Sequence, residues 1–157
     1  MKVLFICYAN VCRSFMAQEW LKTLLPEATV FSRGLYADPA CPVPAKVLAF
    51  LSKQGLSPAP HTPAPLRTAD LEAADLILLM EQRHLESLAD RYAQYSGKMW
   101  LLNDFAHGKE TDVPDPISLS GRDFDKSARQ LLQTVKAAAD KLHRLHPELT
   151  LQNAITR

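Results

Sequence analysis

The sequence has 157 residues, 47% of them hydrophobic and 22% charged, with a formal net charge of +1 and three cysteines. That is enough chain for one compact core and too little for two ordinary domains. Near-balanced charge without a basic run argues against nucleic acid or an anionic membrane as partner, and no stretch approaches the roughly 18 apolar residues of a membrane span.

Val3-Leu4-Phe5-Ile6 is an apolar run of strand length, followed at once by Asn10 and Arg13. It predicts a buried first strand, since a signal peptide would need a longer apolar run and a small-residue cleavage site. Residues 7–14 form a tight loop, and Met16, Ala17, Trp20, Leu21, Leu24 and Leu25 recur at helical spacing until Pro26. Thr29-Val30-Phe31, closed by Gly34, predicts a second strand, parallel to the first through a right-handed crossover. Pro39, Pro42 and Pro44 mark residues 35–44 as loop, and Val47, Leu48, Leu51 and Gly55 describe a second helix. A proline-rich surface loop over 57–65 carries His61. Residues 75–80 read as a central strand buried on both faces, 81–95 as a helix, and 99–102 as a fourth strand. A long loop over 103–121 precedes the longest helix, in which Phe124, Ala128, Leu131, Leu132, Val135, Ala138, Ala139, Leu142 and Leu145 share a face.

The expected fold is therefore α/β: one domain over residues 1–146, a four-stranded parallel sheet flanked by helices on both faces, and a phosphate-binding loop after the first strand. Residues 147–157 are expected to be a poorly ordered tail. In such sheets ligands sit at the carboxyl ends of the strands, which is where Cys7 leaves the first one.

The loop Cys7-Tyr8-Ala9-Asn10-Val11-Cys12-Arg13-Ser14 is the chemically informative stretch. At a helix N-terminus, unpaired backbone N–H groups and the positive end of the helix dipole converge on an anion. Cys7 is a potential nucleophile, and Arg13 offers a planar fork to a tetrahedral oxyanion. A free thiol titrates near ~8.5, so the loop must stabilise the attacking thiolate. Phosphate fits, and Tyr8, Ala9, Asn10, Val11, Cys12, Arg13 and Ser14 are the expected phosphate-binding residues. Ser14 can cap the helix or donate to the Cys7 sulfur; Asn10 suits a left-handed turn and reads as scaffold. No cofactor is implied, and no metal, because His and carboxylate ligands do not cluster.

These residues resemble the active-site loop of the low-molecular-weight protein tyrosine phosphatases, whose pattern is Cys, x, Gly or Ala, Asn, x, Cys, Arg, Ser near the N-terminus. A second element of that family, an Asp-Pro pair between the last strand and the last helix, is matched by Asp115-Pro116. The resemblance covers nearly the whole chain to about Leu145. It implies removal of phosphate from protein phosphotyrosine and small aryl phosphates through a phosphocysteine intermediate. Cys7 is then the nucleophile, Arg13 binds the transferring group and Asp115 is the general acid, where the motif alone would allow a turn. It further implies that Ser14 stabilises the thiolate, that His61 braces Asn10, where a lone loop histidine could equally be solvated, and that Cys12 forms a reversible disulfide with Cys7, where a small buried hydrophobe is the alternative.

The chain departs from the family at Phe15, where proline is common, and at Ile117 and Ser118, where tyrosines commonly follow Asp-Pro. The loop after Gly34 lacks the tryptophan of eukaryotic members, leaving Tyr8 or Tyr36 to wall the cleft. A protein-arginine phosphatase is the alternative activity; those relatives carry threonine where this loop has Val11, and an apolar side chain favours an ester. An arsenate reductase is disfavoured because no cysteine follows Cys41. A non-catalytic phosphotyrosine-binding module is disfavoured by the intact Cys7, Arg13 and Asp115. The expected setting is the cytoplasm, where thiols stay reduced, with a phosphotyrosine-containing protein or aryl phosphate as partner, no nucleic acid, no membrane, and a monomer as the default oligomeric state.

Overall fold

In the computed structural model, which describes residues 1–153, the four apolar stretches become strands β1 (Lys2–Cys7), β2 (Thr29–Gly34), β3 (Leu76–Leu79) and β4 (Met99–Leu101). They pair in parallel in the order β2-β1-β3-β4. Val3 to Ile6 of β1 and all of β3 are buried, while the edge strands β2 and β4 alternate with exposed positions. A parallel strand covered by helices on both faces has to be apolar throughout, which is why β1 and β3 read as continuous runs.

The helices are α1 (Arg13–Leu24), α2 (Ala45–Lys53), α3 (Thr68–Ala73), α4 (Gln82–Arg91), α5 (Leu102–His107) and α6 (Gly121–Leu145). Alternation along each strand divides the core. Val3, Phe5 and Leu78 face a layer with Trp20, Phe50, Phe105, Phe124 and Val135 from α1, α2, α5 and α6. Leu4, Ile6, Ile77 and Leu79 face Leu71 and Leu88 from α3 and α4.

Several boundaries differ from expectation. The helix expected over 81–95 ends at Arg91, followed by a 3₁₀ segment over Ala93–Lys98. The predicted loop over 103–121 contains α5, which buries Leu102 and Phe105 and ends at Gly108 with φ 67°. A six-residue helix is too short to display a 3.6-residue period, and the same holds for α3.

The expected unfixed tail is corrected for its described part. Leu149 is buried in the same core as α1 and α6, the Thr150 N–H donates to the Glu27 carboxylate at 3.2 Å, and the Gln152 N–H donates to the Leu24 carbonyl at 2.8 Å. That carbonyl lies at the end of α1, where the helix itself supplies no partner. The domain thus continues past residue 146. The rest of the expected tail, residues 154–157, lies outside the described residues.

Candidate active site

Cys7 is the last residue of β1 and Arg13 the first of α1, so five residues turn the chain from strand to helix at the carboxyl edge of the sheet. The turn needs a left-handed residue, and Asn10 takes it at φ 59°. It also needs room. Gly34 of β2 passes directly beneath, where a Cβ would stand 2.9 Å from the Tyr8 carbonyl oxygen and from backbone atoms of Ala9 and Asn10.

The Cys7 sulfur is buried and lies 2.9 Å from the Ser14 hydroxyl and 3.3 Å from the Asn10 N–H, which donates to it. Hydrogen-bond bookkeeping gives the Ser14 contact its direction. The Asn10 amide oxygen accepts the Ala64 N–H at 3.0 Å, so its Nδ2 faces the other way and donates to Ser14 Oγ at 2.8 Å and Ser32 Oγ at 2.9 Å. Ser14 Oγ therefore accepts from Asn10 and is left with its own hydrogen for the sulfur. Of the two uses open to this hydroxyl, it makes the sulfur contact; Ser14 lies inside α1, and the residue preceding the helix is Cys12, with no side-chain cap.

Further support comes from Ser32 and Gln18, which no motif in the sequence marks, and from His61, expected as a brace on Asn10. Ser32 donates to Gln18 Oε1 at 2.7 Å, which satisfies its hydrogen inside the core. His61 Nε2 donates to the Asn10 carbonyl at 2.8 Å, and its ring stacks on Phe15 at 4.2 Å. Burial pushes the His61 pKa below its ordinary value, which keeps the imidazole neutral with its hydrogen on Nε2.

Arg13 is almost wholly buried. Its Nη1 donates to the Val113 carbonyl at 2.8 Å and lies 3.8 Å from Glu81 Oε1, and its Nη2 lies 3.5 Å from Asp115 Oδ2. The other Asp115 oxygen accepts the Ile117 N–H at 3.1 Å. Glu81 was not singled out in the sequence; the signal available was its place two residues past the end of β3, the strand beside β1 in the sheet.

Loop residues 7–13, Asp115 and Ile117 line one cleft of about 290 Å³. The exposed ring of Tyr8, which is on this lining, lies 4.9 Å from the exposed ring of Tyr36, so both candidates for an aromatic wall stand together. Cys12 lines the cleft too. Burial first, then the Asp115 and Cys7 charges, push its thiol pKa up to about 12, so it carries a proton at neutral pH. All three cysteines are free. Among the described residues, no group of three or more His, Cys, Asp or Glu side chains is placed to hold a metal ion, and no helix is long and apolar enough to cross a membrane.

The chain is similar in sequence and fold to known proteins. The family profile described as low molecular weight phosphotyrosine protein phosphatase matches residues 2–151. The low molecular weight protein-tyrosine-phosphatase Wzb of Salmonella typhimurium is 34% identical over 148 residues, covering 89% of this chain and 97% of that protein. The solved structure of the YwlE arginine phosphatase from Geobacillus stearothermophilus superposes with a TM-score of 0.87 at 25% identity, over 97% of this chain and 99% of its own. Vibrio vulnificus Wzb in complex with benzylphosphonate superposes at 0.81 with 30% identity, over 90% and 98%.

Proposed function

The chain belongs to the low molecular weight phosphotyrosine protein phosphatase family, and from that premise we propose that it removes phosphate from phosphotyrosine in proteins, and from small aryl phosphates, with Cys7, Arg13 and Asp115 carrying the reaction. The observation that supports this reading best is that the Asp115 carboxyl, about a hundred residues along the chain, comes to the same cleft as Cys7 and Arg13 of the loop after β1.

In the first step the Cys7 thiolate attacks phosphorus, the bond to the phenolic oxygen breaks, and Asp115 gives that oxygen its proton. Arg13 and the amides of residues 8–14 hold the equatorial oxygens, where charge spreads in the transition state. In the second step water attacks the phosphocysteine, Asp115 takes the water's proton, and inorganic phosphate leaves with the thiolate restored. Ser14, oriented by Asn10, donates to the sulfur and so makes it a better leaving group in this step.

Tyr8 and Ile117 on the cleft lining, with Tyr36 against Tyr8, suit a flat aromatic substrate. A second reading, phosphoarginine, is favoured by the likeness to the YwlE arginine phosphatase; Val11 argues against it, since its side chain has no hydroxyl to offer the phosphoramidate. Oxidation of Cys7 would be buffered by a disulfide to Cys12, and a thiolate enzyme of this kind suits the reducing cytoplasm.

The test is hydrolysis of p-nitrophenyl phosphate, which should be blocked by vanadate, unaffected by EDTA and abolished in Cys7→Ser. Phosphotyrosine and phosphoarginine peptides then compete directly. Faster turnover of phosphoarginine would replace the substrate assignment, and near-native activity in Cys7→Ser would end the mechanism.

A further inference from the structure

The segment that carries Asp115 has little to hold it. Residues 114–120 form neither helix nor strand, and within them the Leu119 N–H closes a turn onto the Pro116 carbonyl at 2.9 Å. Among the described residues, the hydrogen bonds that reach 116–119 from beyond residues 114–120 come from one side chain, Lys46 of α2. Its Nζ donates to the carbonyls of Ile117 and Leu119, the latter at 2.6 Å, and lies 5.2 Å from the centroid of the Phe124 ring. No carboxylate of the described residues pairs with it. A lysine whose charge is met by two carbonyl dipoles and an aromatic face, without an anion, contributes little as a surface ion pair and much as a clasp on the backbone that supplies those carbonyls.

The clasp has a chemical address. Asp115 Oδ1 accepts the N–H of Ile117, the residue whose carbonyl Lys46 holds, and the Ile117 side chain lines the cleft. Fixing Ile117 therefore fixes the direction of the Asp115 carboxyl and one wall of the substrate site together. We propose that Lys46 is a positioning residue for proton transfer: it pins the loop after Asp115-Pro116 so that the carboxyl reaches the departing oxygen. The inference rests on the reading of Asp115 as the proton donor.

Its signature is dependence on the leaving group. General acid catalysis is worth ~10²–10⁴-fold and matters most when the departing oxygen is basic. In Lys46→Met the turnover of phenyl phosphate should fall about tenfold more than that of p-nitrophenyl phosphate, a part of that range, with the competitive inhibition constant of inorganic phosphate unchanged. Lys46→Arg, which keeps the charge and two donors, should restore most of the loss. In an Asp115→Asn background, Lys46→Met should add nothing to the discrimination already lost.

If Asp115→Asn discriminates between the two substrates and Lys46→Met does not, the Lys46 inference alone fails. If Asp115→Asn slows both alike, the proton-donor reading fails and takes the inference with it. Weaker phosphate binding with both substrates slowed equally would make Lys46 a source of positive potential only, and a lowered melting temperature with unchanged kinetics would make it structural only; either outcome overturns the proposal.

Discussion

The Arg13 guanidinium donates to the Val113 carbonyl at 2.8 Å, so the group that would grip phosphate also grips the start of the loop bearing Asp115. One nitrogen is committed to protein backbone while the other faces Asp115 and the cleft, a division of labour open to a fork and closed to a point charge. Arg13→Lys should therefore lose both tasks, with kcat/KM on p-nitrophenyl phosphate falling by about 10²–10³-fold, the range for losing one oriented donor to a transition-state oxyanion. Steady-state kinetics check it; a loss under tenfold would show that positive charge alone suffices.

The paired rings of Tyr8 and Tyr36 predict how the enzyme discriminates among substrates. Tyr36→Ala removes the outer ring and leaves Tyr8 on the cleft. The KM for a phosphotyrosine peptide should rise by about twofold to tenfold, the equivalent of an aromatic pair's ~0.5–1.5 kcal/mol, with kcat held. A fall in kcat at constant KM would move Tyr36 from recognition to chemistry.

His61 gives the fold a pH dependence whose sign can be worked out. Burial lowers its pKa in the folded state, so between that lowered value and the ordinary value of 6.5 the unfolded chain binds more protons than the folded one. Stability contributed by the neutral imidazole is present above that ordinary value and is lost as pH falls toward the folded one. The buried His84, whose pKa is lowered by desolvation, acts in the same direction. Thermal melts should show wild type losing more melting temperature between pH 7 and pH 5 than His61→Gln, which can still donate to the Asn10 carbonyl without titrating. Parallel losses would assign the dependence to His84 and the carboxylates.

The role proposed for Cys12 begins only once Cys7 is oxidised. In that proposal peroxide would oxidise the Cys7 thiolate to a sulfenic acid, and condensation with the Cys12 thiol would give a disulfide and water. Because the Cys12 pKa is pushed up to about 12, closure should be slow at neutral pH and quicken as pH rises. After peroxide and then a thiol reductant, wild type should regain activity and Cys12→Ser should regain markedly less. Equal recovery, with no Cys7 to Cys12 disulfide by mass spectrometry, would remove the role.

Which parts were readable from the chain depended on whether their cause is local. The strands β1 and β3 announce themselves because burial on both faces leaves no room for polar residues, and Cys7, Arg13 and Ser14 stand in one contiguous run. The helices α3 and α5 do not, because six residues span less than two turns. Gln18, Ser32 and Lys46 were illegible for another reason. Each acts through a side chain reaching across from a separate element, and Ser32 meets Asn10 only because register sets β2 alongside β1. That reach is a product of packing, and no spacing in the chain encodes it.

The strand that ends in Cys7 lies between two others and shows no accessible surface from Val3 to Ile6. Amides in such a strand exchange with solvent only when the whole domain opens, whereas loops and edges open locally at lower cost. The proposed nucleophile is thus tied to the last part of the molecule to come apart. The cradle around the sulfur should survive partial unfolding of the periphery, and in a denaturant titration the capacity to bind vanadate should disappear together with the slowest-exchanging amides of β1 rather than ahead of them.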